Sequence, residues 1–383
     1  MKIPVSKLPN VGTTIFTTMS ALAQEHGAVN LGQGFPDFGC DPRLLETMNE
    51  AMRAGFNQYP PMVGIPALRE QIAIKVSDLY DRQYDVATEI TVTAGATQAI
   101  QTALTAIVQP GDEVIIFEPV YDSYEPVIRL NGGVPLYARL SFPDYRPDWN
   151  AVRALVTPRT RAIMINTPHN PTATVWPRED LQALADLLRD TDIMLISDEV
   201  YEHMVYDGAR HLSVASFPGL AERAFVISSF GKTYHVTGWK IAYCLAPKEL
   251  MAEFRKSHQF VVFTVHTPSQ HAIANYMQLG THNTLSDFYQ SKRDFFLAHV
   301  ASSRFQWRPS RGTYFVSASY AHLPEFSALS EADFAMQLTR KVGVACIPVS
   351  AFYHDAEDHR VVRFCFAKKE ETLALAAGRL SKL

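Results

Sequence analysis

Between residues 89 and 247, short continuous apolar runs alternate with segments whose apolar residues recur every three or four positions. ITVTAG (90–95) precedes ATQAIQTALTAIV, EVIIFEP (113–119) precedes DSYEPVIRLNGG, and RAIMINTP (161–168) precedes EDLQALADLLRD. IMLISDEVY (193–201), AFVISSFGK (224–232) and KIAYCLAP (240–247) complete the series. Apolar strands punctuated by helices predict an α/β fold with a mainly parallel sheet covered on both faces. In such sheets ligands sit beyond the carboxyl ends of the strands. The polar residues of interest fall at those ends.

After Glu249 the pattern turns helical, through ELMAEFRKSHQFVVF and a long stretch from 269 to 301. Strand-like TYFVSASY and VVRFCFA then alternate with helical DFAMQLTRKVG and EETLALAAGRLSKL. This predicts a smaller α+β part. The first forty or so residues carry little regular pattern and are expected to pack on it. A chain of 383 residues exceeds what one core usually supports. The expected division is a large domain over 45–280 and a small one from 1–44 with 281–383. No internal repeat or low-complexity segment interrupts it.

Composition narrows the function. With 47% hydrophobic and 19% charged residues the balance is that of an ordinary globular chain. Lys plus Arg total 35 against 39 Asp plus Glu, a net charge of -4, which argues against a nucleic-acid or membrane partner. Cys40, Cys244, Cys346 and Cys365 are scattered, without zinc, redox or disulfide spacing. No metal is expected, and a reducing, cytoplasmic setting fits. No apolar run follows Lys2, and none is long enough to span a bilayer. The final Ser381-Lys382-Leu383 match a peroxisomal address. They also match what a last helical turn carries, and coincidence is the simpler reading.

Four segments bear chemistry. In Ser228-Ser229-Phe230-Gly231-Lys232-Thr233, a lysine stands just past a strand end, with Thr237-Gly238-Trp239-Lys240 behind it. Such a lysine forms an imine with an aldehyde once burial or neighbouring cations depress its pKa; alone, it would read as a loop lysine. In Ser197-Asp198-Glu199-Val200-Tyr201 an aspartate ends an apolar strand. Burying it is costly without a positive partner, such as a protonated pyridine nitrogen, although a helix cap would also place it there. In Asn166-Thr167-Pro168-His169-Asn170-Pro171 two prolines frame Asn170 in a rigid turn. Gly95-Ala96-Thr97 join a strand to a helix and form a candidate phosphate cradle.

SSFGKTYHVTGWK, SDEVYEH, NTPHNPTATVW, LGQGFPDF, NQYPPMVGIPALRE and VVRFCFAKKEETL, in their shared order, resemble the fold-type I, class I/II aminotransferases that use pyridoxal 5'-phosphate. Within them the chain is most similar to the methionine and kynurenine aminotransferase branch, from about Leu8 to Leu383. The resemblance implies a seven-stranded, mainly parallel large-domain sheet. It also implies Lys232 as the catalytic Schiff-base lysine and Asp198 as the partner of the pyridine nitrogen. Tyr201 and Asn170 then meet the phenolic oxygen, and Tyr121 stacks on the ring. Gly95, Ala96, Thr97, Ser229 and Lys240 match the phosphate-binding positions. The last is commonly Arg in the wider family. Tyr59 matches a tyrosine that reaches the phosphate of the partner subunit, which implies a homodimer with shared active sites.

On the substrate side, Arg363 matches the arginine that clamps an α-carboxylate, and an arginine inside the apolar strand VVRFCFA suits that task. Gly34 matches a backbone position at the same end. Phe16, Tyr121, His266 and Phe352 are the expected side-chain pocket, apolar or aromatic with one imidazole. The implied reaction passes an amino group from a large neutral or aromatic amino acid, methionine foremost, to a 2-oxo acid by a ping-pong course. The alternative on the same scaffold is a kynurenine–oxoglutarate aminotransferase with cysteine-S-conjugate β-lyase activity. A regulatory protein would need an added DNA-binding segment, and a nucleotide enzyme a glycine-rich fingerprint; the chain carries neither.

Overall fold

The structure, a computed structural model describing residues 5–383, begins with a helix that the sequence pattern does not announce, Ile15–Glu25. Thr14 caps it by accepting from the Thr17 N–H, and Met19, Leu22 and Ala23 form its buried stripe. The β-branched Ile15, Thr17 and Thr18 are poor helix formers; burial of the stripe overrides them. Strand β1 (Val29–Asn30) follows, and then helices Pro42–Arg53 and Pro66–Tyr80. Both open with proline, where no intrahelical N–H is lost.

The main sheet comprises β2 (Ile90–Thr93), β3 (Glu113–Glu118), β4 (Val134–Ser141), β5 (Arg146–Pro147), β6 (Thr160–Asn166), β7 (Met194–Asp198), β8 (Ala224–Ser229) and β9 (Ala242–Leu245). Their spatial order is β2-β9-β8-β7-β6-β3-β4-β5. The links from β8 through β7, β6 and β3 to β4 are parallel, while β9 runs antiparallel to both its neighbours. The expected seven strands are present. The eighth, β5, is a two-residue antiparallel edge too short for any periodicity to mark it.

Alternation along the strands splits the core in two. Ile115, Phe117, Ile163 and Ile165 face one helical layer, and Val114, Ile116, Ala162 and Met164 face the other. Burial on both faces explains why these strands read as unbroken apolar runs.

The C-terminal part adds β10 (Gln306–Arg308), β11 (Phe315–Ser319), β12 (Val344–Ala345), β13 (Ile347–Pro348) and β14 (Val361–Cys365). Four of these form an antiparallel sheet in the order β10-β11-β14-β13, while β12 pairs in parallel with β1. Met19, Leu22 and Leu31 share an apolar cluster with Phe315, Val316 and Phe364. Met19, Leu22 and Leu31 therefore pack with the C-terminal strands. Among the described residues no helix is long and apolar enough to cross a membrane.

Candidate active site

The carboxyl ends of β2, β3, β6, β7 and β8 converge on a cavity of about 260 Å³. Because β9 is antiparallel, its amino end, with Lys240 just before it, reaches the same edge of the sheet.

Lys232 sits in the short helix Phe230–Thr233, capped by the Ser229 hydroxyl, which accepts from the Gly231 N–H. Its Nζ donates to the Tyr314 hydroxyl at 2.7 Å and to the Gly34 carbonyl at 3.2 Å. Burial lowers its pKa to about 8, against the opposing pull of Cys365 and Asp198. A minor but usable share of the amine is therefore neutral near physiological pH, far more than for an ordinary lysine.

Gly95 and Lys240 form one end of the cavity. Gly95 has φ +83°, and a Cβ there would lie 2.9 Å from Lys240 Nζ, so glycine alone permits this approach. Helix Ala96–Ile107 starts immediately afterwards, and its first N–H groups and dipole favour an anion. Ala96, Thr97 and Ser229 line the same end, joined by Thr237, which the motif reading does not single out.

Asp198 ends β7 with 5% of its surface exposed. The Tyr124 hydroxyl donates to its Oδ2 at 2.6 Å and the Val200 N–H to its Oδ1 at 3.2 Å. Burial raises its pKa to about 6, although both hydrogen bonds oppose the rise. No helix follows it, so it is not a cap. Asn166 donates to the Asp198 carbonyl at 2.9 Å and accepts from the Asn170 N–H at 2.8 Å. That pairing fixes the turn carrying Asn170. The Asn170 side-chain oxygen accepts from Arg363, which leaves its amide N–H groups for a ligand. Tyr201 and Tyr121 line the cavity beside it, and burial raises the pKa of both phenols, which keeps them protonated donors.

Arg363 lies in β14, 1% exposed, with its guanidinium carbon 3.8 Å from the centre of the Phe315 ring. Nη2 donates to the Gly32 carbonyl at 3.1 Å. Nε has no partner among the described residues, an orphaned buried donor that suits an anionic ligand. A Cβ on Gly34 would come within 2.9 Å of Phe315, so the glycine lets the backbone lie close at this end too.

Thirteen of the sixteen expected site residues line this one cavity. The other three do not. Phe352 is buried behind it, with ring centres 5.8 Å from Phe16, and it borders a second, larger cavity together with Tyr121. His266 is exposed and caps helix Thr267–Met277, with Nδ1 2.7 Å from the Ser269 hydroxyl. Tyr59 is 80% exposed and packs on Phe263.

Several contributors escape sequence reasoning. Tyr124 and Tyr314 read as core aromatics, and only folding brings their hydroxyls to Asp198 and Lys232. Asn166 had a usable signal, since it ends a strand. Behind the site, Glu202 accepts from Lys75 Nζ at 2.6 Å, from the Tyr80 hydroxyl at 2.5 Å and from Ser228. This buried knot ties the turn holding Asp198 and Tyr201 to strand β8, which leads to Lys232.

Together these groups match one kind of ligand. A buried carboxylate without a cation, an anion cradle about a glycine and lysine, and a partly neutral amine suit a phosphorylated aromatic aldehyde with a basic ring nitrogen. Pyridoxal phosphate has all three features.

Known proteins agree. The profile of aminotransferase class I and II matches residues 26–380. Methionine aminotransferase of Escherichia coli (strain K12) is 49% identical over 383 residues, covering 100% of this chain and 98% of that protein. The crystal structure of YbdL from Escherichia coli, which identifies a methionine aminotransferase function, superposes with a TM-score of 0.97 at 49% identity and covers 100% of both chains. A probable N-succinyldiaminopimelate aminotransferase of Mycobacterium tuberculosis is 42% identical, over 99% of this chain and 98% of its own. Human kynurenine–oxoglutarate transaminase 1 is 36% identical, over 94% and 93%. The chain belongs to the class I and II aminotransferases, pyridoxal-phosphate-dependent enzymes that act on amino and 2-oxo acids.

Proposed function

We propose that this aminotransferase moves the amino group of a large neutral or aromatic amino acid, methionine foremost, to a 2-oxo acid by a ping-pong mechanism. One observation carries the substrate reading. Arg363, whose buried Nε has no partner among the described residues, lines the same cavity as the Lys232 amine, and that lining also includes Phe16, Tyr121 and Phe315. Lys232, Lys240 and Arg363 are the cations among the described lining residues. Each already has a task, so none remains for a second carboxylate. The similarity to a methionine aminotransferase points the same way.

When bound, pyridoxal phosphate supplies the aldehyde carbon that exchanges the amino group and a ring that accepts the electron pair left at the substrate Cα. Lys232 holds the cofactor and, once displaced by the substrate amine, serves as a neutral base. It would take the Cα proton and hold it at Nζ for return, a task that depends on positioning more than on strength. Asp198 meets the ring nitrogen and keeps it positive; a cation there also relieves the burial that now raises its pKa. Asn170 and Tyr201 donate to the ring oxygen, and Tyr121 stacks on the ring. Gly95, Ala96, Thr97, Ser229 and Lys240 hold the phosphate. Arg363 grips the α-carboxylate against the backbone at Gly34.

Phe16 lines the side-chain pocket, Phe352 backs it through the Phe16 ring, and His266 borders it as the subunits assemble. The assembly is a homodimer, with Tyr59 crossing to the phosphate of the other active site. Exposed Phe56, Tyr59, Phe260 and Phe263 supply an apolar face for that contact. Residues 45–280 act as the cofactor domain, with 1–44 and 281–383 as the small one. Four free cysteines suit the cytoplasm, and the net charge of -4 suits neither a nucleic-acid nor a membrane partner.

The test is a panel of methionine, phenylalanine, kynurenine, aspartate and glutamate against several 2-oxo acids. Methionine or the aromatics should exceed aspartate by about tenfold or more in kcat/KM, with parallel double-reciprocal lines. Aspartate as the best donor, or intersecting lines, contradicts the reading. A kynurenine preference would support the second reading, which the human relative favours. Pyruvate formed from a cysteine conjugate without any oxo acid would reveal β-lyase activity.

A further inference from the structure

Tyr314 stands immediately before β11 with none of its surface exposed. Its ring packs edge-on against Tyr201, 5.2 Å between centres, and its backbone carbonyl accepts from the Phe366 N–H at 2.9 Å. The side chain therefore has little freedom. Its hydroxyl meets the Gly34 carbonyl and Lys232 Nζ, with the Tyr201 hydroxyl as a further polar neighbour.

Counting protons fixes the direction of each bond. A carbonyl only accepts, so the single phenolic hydrogen goes to Gly34, and the phenolic oxygen accepts from Lys232. Nζ also donates to the Gly34 carbonyl. A neutral amine has two N–H groups and one lone pair. Both N–H groups are thereby engaged on the side of Gly34 and Tyr314, and the lone pair is the tetrahedral position left for the cavity.

We propose that Tyr314 is a positioning residue that, with the Gly34 carbonyl, holds the free Lys232 amine with its lone pair directed at the substrate Cα. When that lone pair takes the Cα proton, the C–H electron pair stays on carbon and the amine becomes an ammonium. Two of its N–H groups remain anchored, and the third carries the proton to be returned. This inference rests on Lys232 being the base.

The test combines turnover with a readout that needs no cofactor. Tyr314→Phe should lower kcat about tenfold to a hundredfold, the scale of one lost charged hydrogen bond, with KM within about twofold. In the cofactor-free protein, the pH at which Lys232 is half acylated should shift downward, because its ammonium has lost an acceptor. More amine is then neutral, yet turnover falls, a pairing that general loosening would not produce. Tyr314→Met removes the same hydroxyl and replaces the phenylalanine variant should that fail to fold. A kcat within about twofold of wild type, or an unmoved acylation pH, overturns the proposal. Lys232→Ala is measured alongside. If it keeps full activity the reading of Lys232 fails, whereas an inactive Lys232→Ala beside a normal Tyr314→Phe sinks the inference about Tyr314 alone.

Discussion

The Tyr124 hydroxyl donates to Asp198 Oδ2 over 2.6 Å in a setting from which water is largely excluded. Burial alone would drive this carboxyl towards its neutral form, and the phenol is the first force that opposes it. Tyr124 thus keeps Asp198 closer to the ionised state that a ring cation requires. Removing the phenol should cost about 1.5–3 kcal/mol of cofactor affinity, the range for a hydrogen bond to a charged group. Tyr124→Phe is therefore expected to bind pyridoxal phosphate roughly tenfold to a hundredfold more weakly by absorbance titration. Asp198→Asn should be harsher, with kcat down by about 10² or more. Wild-type values in both variants would show that the ring nitrogen is held elsewhere.

Lys232 offers a prediction about pH. Burial depresses its amine to about 8 from the ordinary lysine value of 10.5. The neutral, reactive form should then dominate above about pH 8 in the cofactor-free protein. Acylation of Lys232, followed by peptide mass, should rise through that point and level off more than a unit below an ordinary lysine. The sign for stability follows. Between about 8 and 10.5 the unfolded chain binds the extra proton, so this group's penalty on the folded state shrinks as pH rises through that window.

Arg363 combines a free Nε with an engaged Nη2 and an aromatic face beneath it. A lysine would keep the charge but lose the planar fork and the stacking. Arg363→Lys should lower kcat/KM for amino acids about tenfold to a hundredfold. Simple amines without a carboxylate should lose far less. Equal losses for both would remove Arg363 from carboxylate recognition.

Behind the site, Lys75 and Glu202 are a fully buried pair. Burial pushes Glu202 up, but Lys75, His203 and Ser228 override it and hold the carboxyl below its usual range. Lys75→Met leaves that carboxylate uncompensated, and denaturant unfolding should show a loss of about 3–5 kcal/mol. Because the folded pKa is depressed, the pair's stabilisation is present above about 4.5, the ordinary value of a glutamate carboxyl, and disappears as pH falls below it. A Lys75→Met protein as stable as wild type would mean the turn bearing Tyr201 is held by other contacts.

How much of this can be read from sequence depends on range. The strand ends stand out because β2, β3 and β7 are buried on both faces, so polar residues such as Asp198 break an otherwise apolar run. Lys232, Asn170 and Arg363 are marked by short motifs of the same kind. Tyr314 carries no such mark, because its role depends on a contact with a lysine 82 positions away. Glu202 and Lys75 are separated by 127 positions and meet only when helix Pro66–Tyr80 packs on the sheet. The helix Ile15–Glu25 is hidden by its β-branched start. His266 and Phe352 are near the site by family pattern, but within one chain the first is engaged with Ser269 and the second lies a layer back.

The most direct test is chemical. The enzyme, saturated with pyridoxal phosphate, is reduced with borohydride, digested and mapped by mass. The account predicts one phosphopyridoxyl group, fixed to the peptide containing Lys232 and absent from Lys232→Ala. The same group on another lysine, or no fixed group at all, would contradict it.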